Sequence, residues 1–113
     1  MIEDYSEGHI RIDGADYEQD VKIIGSDVVP NWWRKSGHRI EVEDIGDILD
    51  ANPDILVVGT GYAENVKISE QVLSLTKGRN IRLIPEATPR AVRTYNGLLS
   101  EGNSVAGAFH LTC

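Results

Sequence analysis

Cysteine is almost missing from this chain: the one thiol, Cys113, has no partner within the sequence. An intrachain disulfide is therefore excluded, and a reducing compartment, the cytoplasm, is the expected location. Long apolar runs are missing too. None approaches the roughly 20 residues that a membrane-spanning helix needs, so no membrane contact is expected. The start, Met1-Ile2-Glu3-Asp4-Tyr5, has neither the basic nor the apolar part of a signal peptide. His9, His38 and His110 lie far apart, with no pair at helical spacing and no cysteine beside them, so no metal site is assigned. There is no Gly-x-Ser-x-Gly elbow for serine chemistry. Repeats and low-complexity tracts are also absent.

Positive charge is scarce and scattered. Eleven basic residues face eighteen acidic ones, a net charge of −7. Residues 1–75 hold 16 of the 18 acids and 6 of the 11 bases, leaving the C-terminal third mildly basic. Those last bases are spread over a helix, a strand and loops without interleaved aromatics, a pattern that excludes a nucleic-acid interface. What remains is an ordinary globular composition, 41% hydrophobic and 26% charged over 113 residues. A chain of that length buries roughly two-thirds of its unfolded surface and needs no covalent staple. One domain spanning 1–113 is expected, mainly antiparallel β over 1–42 and alternating helix and strand over 43–113.

The organising stretch is Ile55-Leu56-Val57-Val58-Gly59-Thr60-Gly61, an apolar, β-branched run stopped by a Gly-x-Gly turn. It reads as the central, doubly buried strand of an α/β sheet. Before it, His9 to Ile12 alternates as a half-buried strand, Asp13-Gly14 is a turn, and Tyr17 to Ile24 is expected to return antiparallel. Gly25-Ser26-Asp27 is the next turn. Trp32 and Trp33 are adjacent, so in an extended segment they point to opposite sides, one into the core and one outward. Arg39 to Val42 is a short strand; a helix with Ile45, Ile48 and Leu49 on one face starts at Glu43 and stops at Asn52-Pro53.

After the organising strand, Ile68, Val72 and Leu75 place a second helix over Val66 to Lys77, with Gly78 as its C′ residue. Ile81 to Ile84 is the next strand. Thr88-Pro89 then joins an N-cap hydroxyl to proline at the first helical position, and Ala91, Val92, Tyr95, Leu98 and Leu99 share one face of the third helix. Val105 to Leu111 is the last strand, and its Ala106, Gly107 and Ala108 invite close packing of a helix. The expected fold is thus α/β, its second half a β-α-β-α-β unit with a right-handed winding.

Ligands in such sheets sit beyond the carboxyl ends of parallel strands. That rim comprises Gly59, Thr60, Gly61, Tyr62, Glu86, Thr88 and, if the last strand runs parallel, His110. Gly59-Thr60-Gly61 faintly resembles a dinucleotide fingerprint, but Glu64 stands where the third glycine belongs and its carboxylate repels phosphate. No cofactor is assigned. Free backbone N–H groups after Thr88, with Arg90 nearby, offer a place for a small anion. Trp32, Trp33, Arg34, Lys35 and His38 form a second candidate, an aromatic and cationic segment suited to a protein contact.

Asp13-Gly14, Tyr17, Asp20-Val21, Trp33-Arg34-Lys35 with Gly37-His38, Asp54 to Gly61, Thr88 with Ala91, Tyr95-Asn96 and the ending His110-Leu111-Thr112-Cys113 also carry a likeness. In this order and spacing they resemble the small domain family of archaea, bacteria and eukaryotes that includes the adipogenesis-associated protein and a mitochondrial complex I assembly factor. The resemblance implies a three-layer α/β domain with a central mixed sheet, flanking helices and an added N-terminal β layer. It implies no particular reaction, and points to assembly or regulation. Pro89-Arg90 departs from the Thr-x-Glu-Ala pattern of such relatives, so no carboxylate chemistry is carried over. The expected function is a binding or assembly module working through a protein partner, as a monomer or weak homodimer. The alternative is a small-molecule or anion site, open to catalysis, in a crevice at Gly59-Thr60-Gly61.

Overall fold

The computed structural model describes all residues, 1–113. Ten strands and three helices follow in the order β1 (Ile2–Ser6), β2 (His9–Ile12), β3 (Ala15–Tyr17), β4 (Val21–Ile24), β5 (Asp27–Val29), β6 (Arg39–Ile40), α1 (Gly46–Ala51), β7 (Ile55–Thr60), β8 (Lys67–Ile68), α2 (Glu70–Gly78), β9 (Arg82–Glu86), α3 (Thr88–Ser100) and β10 (Val105–His110). A turn of 3-10 helix, Val42–Ile45, leads into α1. The main sheet is mixed, with the order β5-β4-β10-β7-β9. β10 runs parallel to β7 and antiparallel to β4. A separate antiparallel sheet, β1-β2-β3, and a two-stranded parallel ribbon, β6-β8, complete the molecule.

The period of two along the buried strands divides the interior in two. Ile55 and Val57 of β7, with Val105 and Phe109 of β10, face a core closed by α3 and by Ile2, Ile10 and Ile12 of the N-terminal sheet. Leu56 and Val58, with Ala106 and Ala108, face a second core closed by Ile48 and Leu49 of α1, Val72 of α2 and Trp32. Connections explain the division: β7 passes through α2 to β9, whereas β9 passes back through α3, across β7, to β10. Crossovers of one hand in opposite directions place their helices on opposite faces.

The α/β class, the helix on either side of the sheet and the N-terminal β layer are as expected, but several boundaries differ. The return from Asp13-Gly14 covers only Ala15–Tyr17; Val21–Ile24 leaves that sheet and pairs with β10, Val21 opposite Phe109 and Ile23 opposite Gly107. The run at Ile55 is fully buried yet stands beside the middle of the sheet, which is β10. Beyond Ile40, the residues up to Val42 give up strand geometry for the 3-10 turn, where the Asp44 carboxylate accepts the Glu41 N–H at 2.7 Å.

α2 begins at Glu70 rather than Val66, because Lys67–Ile68 is drawn into β8 opposite Arg39–Ile40 and Ser69 becomes the cap, its hydroxyl accepting the Val72 N–H. Gly78 remains helical, and Asn80 takes the left-handed turn at φ +57°. The following strand extends to Glu86. Thr88 is the first residue of α3 and Ala87 its cap, which frees the Thr88 hydroxyl for another use.

The small residues of β10 do admit a helix. A methyl on Gly107 collides with the Phe109 ring and comes within 3.3 Å of Tyr95, and Tyr95 meets Phe109 edge to face at 5.7 Å.

Candidate functional site

Two neighbouring strand ends bring the site together. Because β10 and β4 are antiparallel with Phe109 opposite Val21, the next positions outward are His110 and Asp20. The ladder therefore fixes a carboxylate beside an imidazole at the carboxyl end of β10. Asp20 Oδ1 accepts the Leu111 N–H at 2.8 Å, and Oδ2 lies 2.5 Å from His110 Nδ1. Asp20 also anchors the next segment, since its carbonyl accepts the Trp32 N–H at 2.8 Å.

That segment, Asn31 to Gly37, alternates as an extended chain does. Trp32 is buried and donates its indole N–H to the Asp44 carbonyl at 2.9 Å, while Trp33 is 82% exposed. Arg34 turns inward again. Its guanidinium carbon lies 4.9 Å from the centre of the Trp32 ring, a cation–π contact with Lys22 also near the ring at 5.9 Å. Arg34 Nη1 donates to Asp20 Oδ2 at 2.8 Å and Nη2 to the Gly37 carbonyl at 2.9 Å.

The carboxylate is the hub. Burial pushes the Asp20 carboxyl up, but hydrogen bonds from His110, the Leu111 amide and Arg34 outweigh it and hold the group below its ordinary value. An ionised carboxylate accepts only, so His110 Nδ1 carries the proton that it donates to Asp20. The 3.0 Å approach of Arg34 Nη2 to the same nitrogen is then a donor beside a donor, and is not a hydrogen bond. His110 Nε2 and Arg34 Nε are buried without a hydrogen-bond partner.

Above these three side chains lies a cleft of about 580 Å³, bounded by Glu18, Gln19, Asn31, Trp33, Gly37 and Thr112. Its volume falls within the range of small-molecule sites, and its lining is polar where such sites are mostly apolar. The arrangement brings an imidazole, the Asp20–Arg34 ion pair and an aromatic surface to one opening. No hydroxyl or thiol lies within hydrogen-bond reach of His110 Nε2.

The residues expected at the Gly59 rim are placed otherwise. A methyl on Gly59 comes within 2.8 Å of Thr88 Oγ1 and 3.0 Å of Phe109, and one on Gly61, at φ +107°, within 2.8 Å of the Thr112 carbonyl. Thr60 donates to the Glu86 carbonyl at 3.0 Å. Thr88 accepts the Gly61 N–H at 2.9 Å and donates to the His110 carbonyl at 2.6 Å. Glu86 accepts from Thr94 at 2.6 Å and pairs with Arg90 at 3.2 Å, while Tyr62 is exposed. The crevice is filled, and none of the cavities is lined by these residues. Gly59, Gly61 and Thr88 form a strut that holds the end of β10 from behind.

Of the second candidate, Trp32, Trp33 and Arg34 line the cleft. Lys35 reaches toward Glu43 at 3.7 Å and His38 is exposed, both outside the lining. β10 is parallel to β7, which carries His110 to the carboxyl rim and into this group. Asp20 is not marked as a site residue by the sequence. Its only local signal is an acid directly ahead of a buried strand, which is common in turns.

A five-stranded mixed sheet between two helical layers, with an antiparallel sheet added at the N-terminus, defines a class of small α/β domains. The chain belongs to the family described as "Protein of unknown function (DUF498/DUF598)", whose model matches residues 2–110. Solved structures share the whole fold. A conserved hypothetical protein of Pyrococcus horikoshii OT3 is 21% identical with a TM-score of 0.88, covering 100% of this chain and 99% of its own. A protein of Xanthomonas campestris is 27% identical at 0.84, with 98% and 83% covered. One from Bartonella henselae, described as an outer membrane protein, is 26% identical at 0.84, with 99% and 94% covered. In the present chain no helix is long and apolar enough to cross a membrane.

Proposed function

We propose that this chain is a binding module whose ligand occupies the cleft over Asp20, Arg34 and His110. One observation carries the reading: three charged or titratable side chains from segments far apart in sequence are locked together, nearly buried, beneath one opening at the carboxyl end of the sheet. Burying such groups costs stability even when they are paired. The alternative drawn from the sequence, a small-molecule site, is kept with its position moved from the Gly59 turn to this cleft. We place the module in the cytoplasm on the strength of its lone thiol. The test is a fragment screen followed by amide and side-chain NMR shifts. Hits that move Trp33, His110 and Thr112 support the reading; hits that move only other surfaces refute it.

A second reading, contact with a partner protein, is favoured by Trp33, since an 82% exposed tryptophan flanked by two anchored residues is a rigid aromatic of the kind that dominates interfaces. The resemblance to the family of the adipogenesis-associated protein and the complex I assembly factor supports the same direction. Native mass spectrometry of the protein purified gently from its own source tests it. A retained protein that is lost in Trp33→Ala supports this reading, and a retained small molecule with no protein favours the first.

A further inference from the structure

We infer that a second copy of this chain occupies the cleft, each copy setting its Trp33 into the opening of the other about a two-fold axis. The inference rests on the reading of Trp33 as the anchor of a protein contact and names the partner.

Shape comes first. Trp33 stands at the lip of the cleft that it helps to line and is 82% exposed, while Trp32 and Arg34 on either side of it are buried. The backbone thus holds the indole out as a knob directly beside a hole, and a large aromatic placed in this way loses little freedom on docking. A two-fold axis at the lip carries each knob into the opposite hole, because in such an interface one patch meets itself and every contact occurs twice. At about 580 Å³ the hole lies in the range that takes a drug-sized molecule, so one indole enters with the floor unmoved. Gln19, Asn31 and Thr112, all exposed at the rim, offer side-chain oxygens that accept an indole N–H.

Charge then favours a copy over an unrelated chain. One wall of the cleft is formed from the stretch 31–40, which carries Arg34, Lys35 and Arg39 and no acid. Arg34 is paired with Asp20, which leaves Lys35 and Arg39 exposed on the outer side. The facing wall is Glu18 to Asp20, with Glu18 exposed. A two-fold pair lays the basic wall of each copy on the acidic wall of the other and brings Lys35 against the second copy's Glu18. Within its own chain Lys35 Nζ reaches only Glu43, at 3.7 Å, with both side chains well exposed. A pair of that kind contributes little, so the lysine is free to turn outward. Over the rest of the surface the net charge of −7 on each copy opposes association and confines it to this face.

Area sets the strength. One buried aromatic of this size covers about 150–250 Å², and two cover less than half of the roughly 1,200 Å² at which stable interfaces begin. The lips supply the remainder with exposed polar groups. The dimer is therefore weak, in keeping with the weak homodimer expected from the sequence.

Sedimentation velocity of the full chain from about 10 µM to 1 mM tests this with the wild type, Trp33→Ala, Glu18→Lys and Lys35→Glu. The wild type is expected to pass from monomer to dimer across the range. Trp33→Ala should weaken association by about a hundredfold or more, since each dimer loses two anchors. Each charge reversal alone should weaken it about tenfold. An equimolar mixture of the two reversals should regain wild-type association, because one contact is then reversed on both sides and the other is native. A wild type that stays monomeric at the highest concentration, a dimer untouched by Trp33→Ala, or a mixture no stronger than its parts overturns the inference. If the wild type stays monomeric while native mass spectrometry still finds a protein held through Trp33, the partner is a different chain and the anchor reading stands. If no protein is retained either, that reading falls as well.

Discussion

Replacing Asp20 by asparagine removes one charge and leaves the shape of the site. The side chains of Asp20, Arg34 and His110 are 14%, 5% and 10% exposed, so water cannot take over the lost role. Asparagine retains an oxygen for the Leu111 N–H but loses the charge-assisted bonds to Arg34 Nη1 and His110 Nδ1. Such bonds contribute about 1.5–3 kcal/mol each, and breaking a buried ion pair by removing one partner costs about 3–5 kcal/mol. We expect a loss of about 3 kcal/mol, the lower end, because the Leu111 bond survives. For a chain of this size that lowers Tm by roughly 12 °C, at about 4 °C per kcal/mol.

Urea unfolding of Asp20→Asn, Arg34→Met and the double variant supplies the assay. The doubly substituted protein should recover part of the loss, with a coupling of about 1–3 kcal/mol. A single-variant loss below about 1 kcal/mol, or strict additivity in the cycle, refutes the account of Asp20 as a hub. The acid limb adds a second check. The Asp20 carboxyl is held below its ordinary value when folded, so its stabilisation is present above the unfolded pKa and disappears as pH falls through the folded one. Asp20→Asn should flatten that part of the stability curve.

Tyr5 gives the opposite limb. Its hydroxyl donates to the Leu111 carbonyl at 2.7 Å, and burial, followed by Glu7, Tyr62 and Asp20, pushes it from 10.0 up to about 12. Its contribution is complete below pH 10 and is lost as pH rises through about 12; Tyr5→Phe should remove that decline from chemical unfolding curves taken across the range. Gly107→Ala drives a methyl into the Phe109 ring, and we expect a loss of about 1–3 kcal/mol in thermal unfolding; an unchanged melt contradicts the close packing of Phe109 over Gly107. Thr88→Val strands the Gly61 N–H and the His110 carbonyl together, for a loss of about 2–4 kcal/mol. The His110 ring resonances should move with it, and unmoved rings would show that the strut does not position the site.

What the sequence makes legible is what local periodicity encodes. α3 could be read from Ala91, Val92, Tyr95, Leu98 and Leu99 despite Asn96-Gly97, because the apolar face continues on both sides. The buried strand at Ile55 and the opposite orientations of Trp32 and Trp33 follow from periods of the same kind. Pairings between distant segments leave no such mark. Val21–Ile24 alternates equally well as a partner for β2 or for β10, and only the three-dimensional sheet selects β10. Lys67–Ile68 looks like the first turn of a helix until Arg39–Ile40 captures it. The site shows the same divide. Arg34 and His110 each stand out locally, but they belong to one group only through Asp20, which lies 14 residues from Arg34 and 90 from His110.

β10 has a bearing on how the chain is made. β4 and β7 flank it and share no ladder with each other; every hydrogen bond joining the antiparallel half of the sheet to the parallel half runs through β10. That strand is also the last of the sheet in chain order, so a growing chain has two unjoined fragments, each with an open edge, until residues 105–110 emerge. Topology of this kind, dominated by distant contacts, favours slow and late assembly. A ribosome-tethered chain ending before Val105 should stay open to protease, and one with β10 outside the exit tunnel should become resistant in a single step.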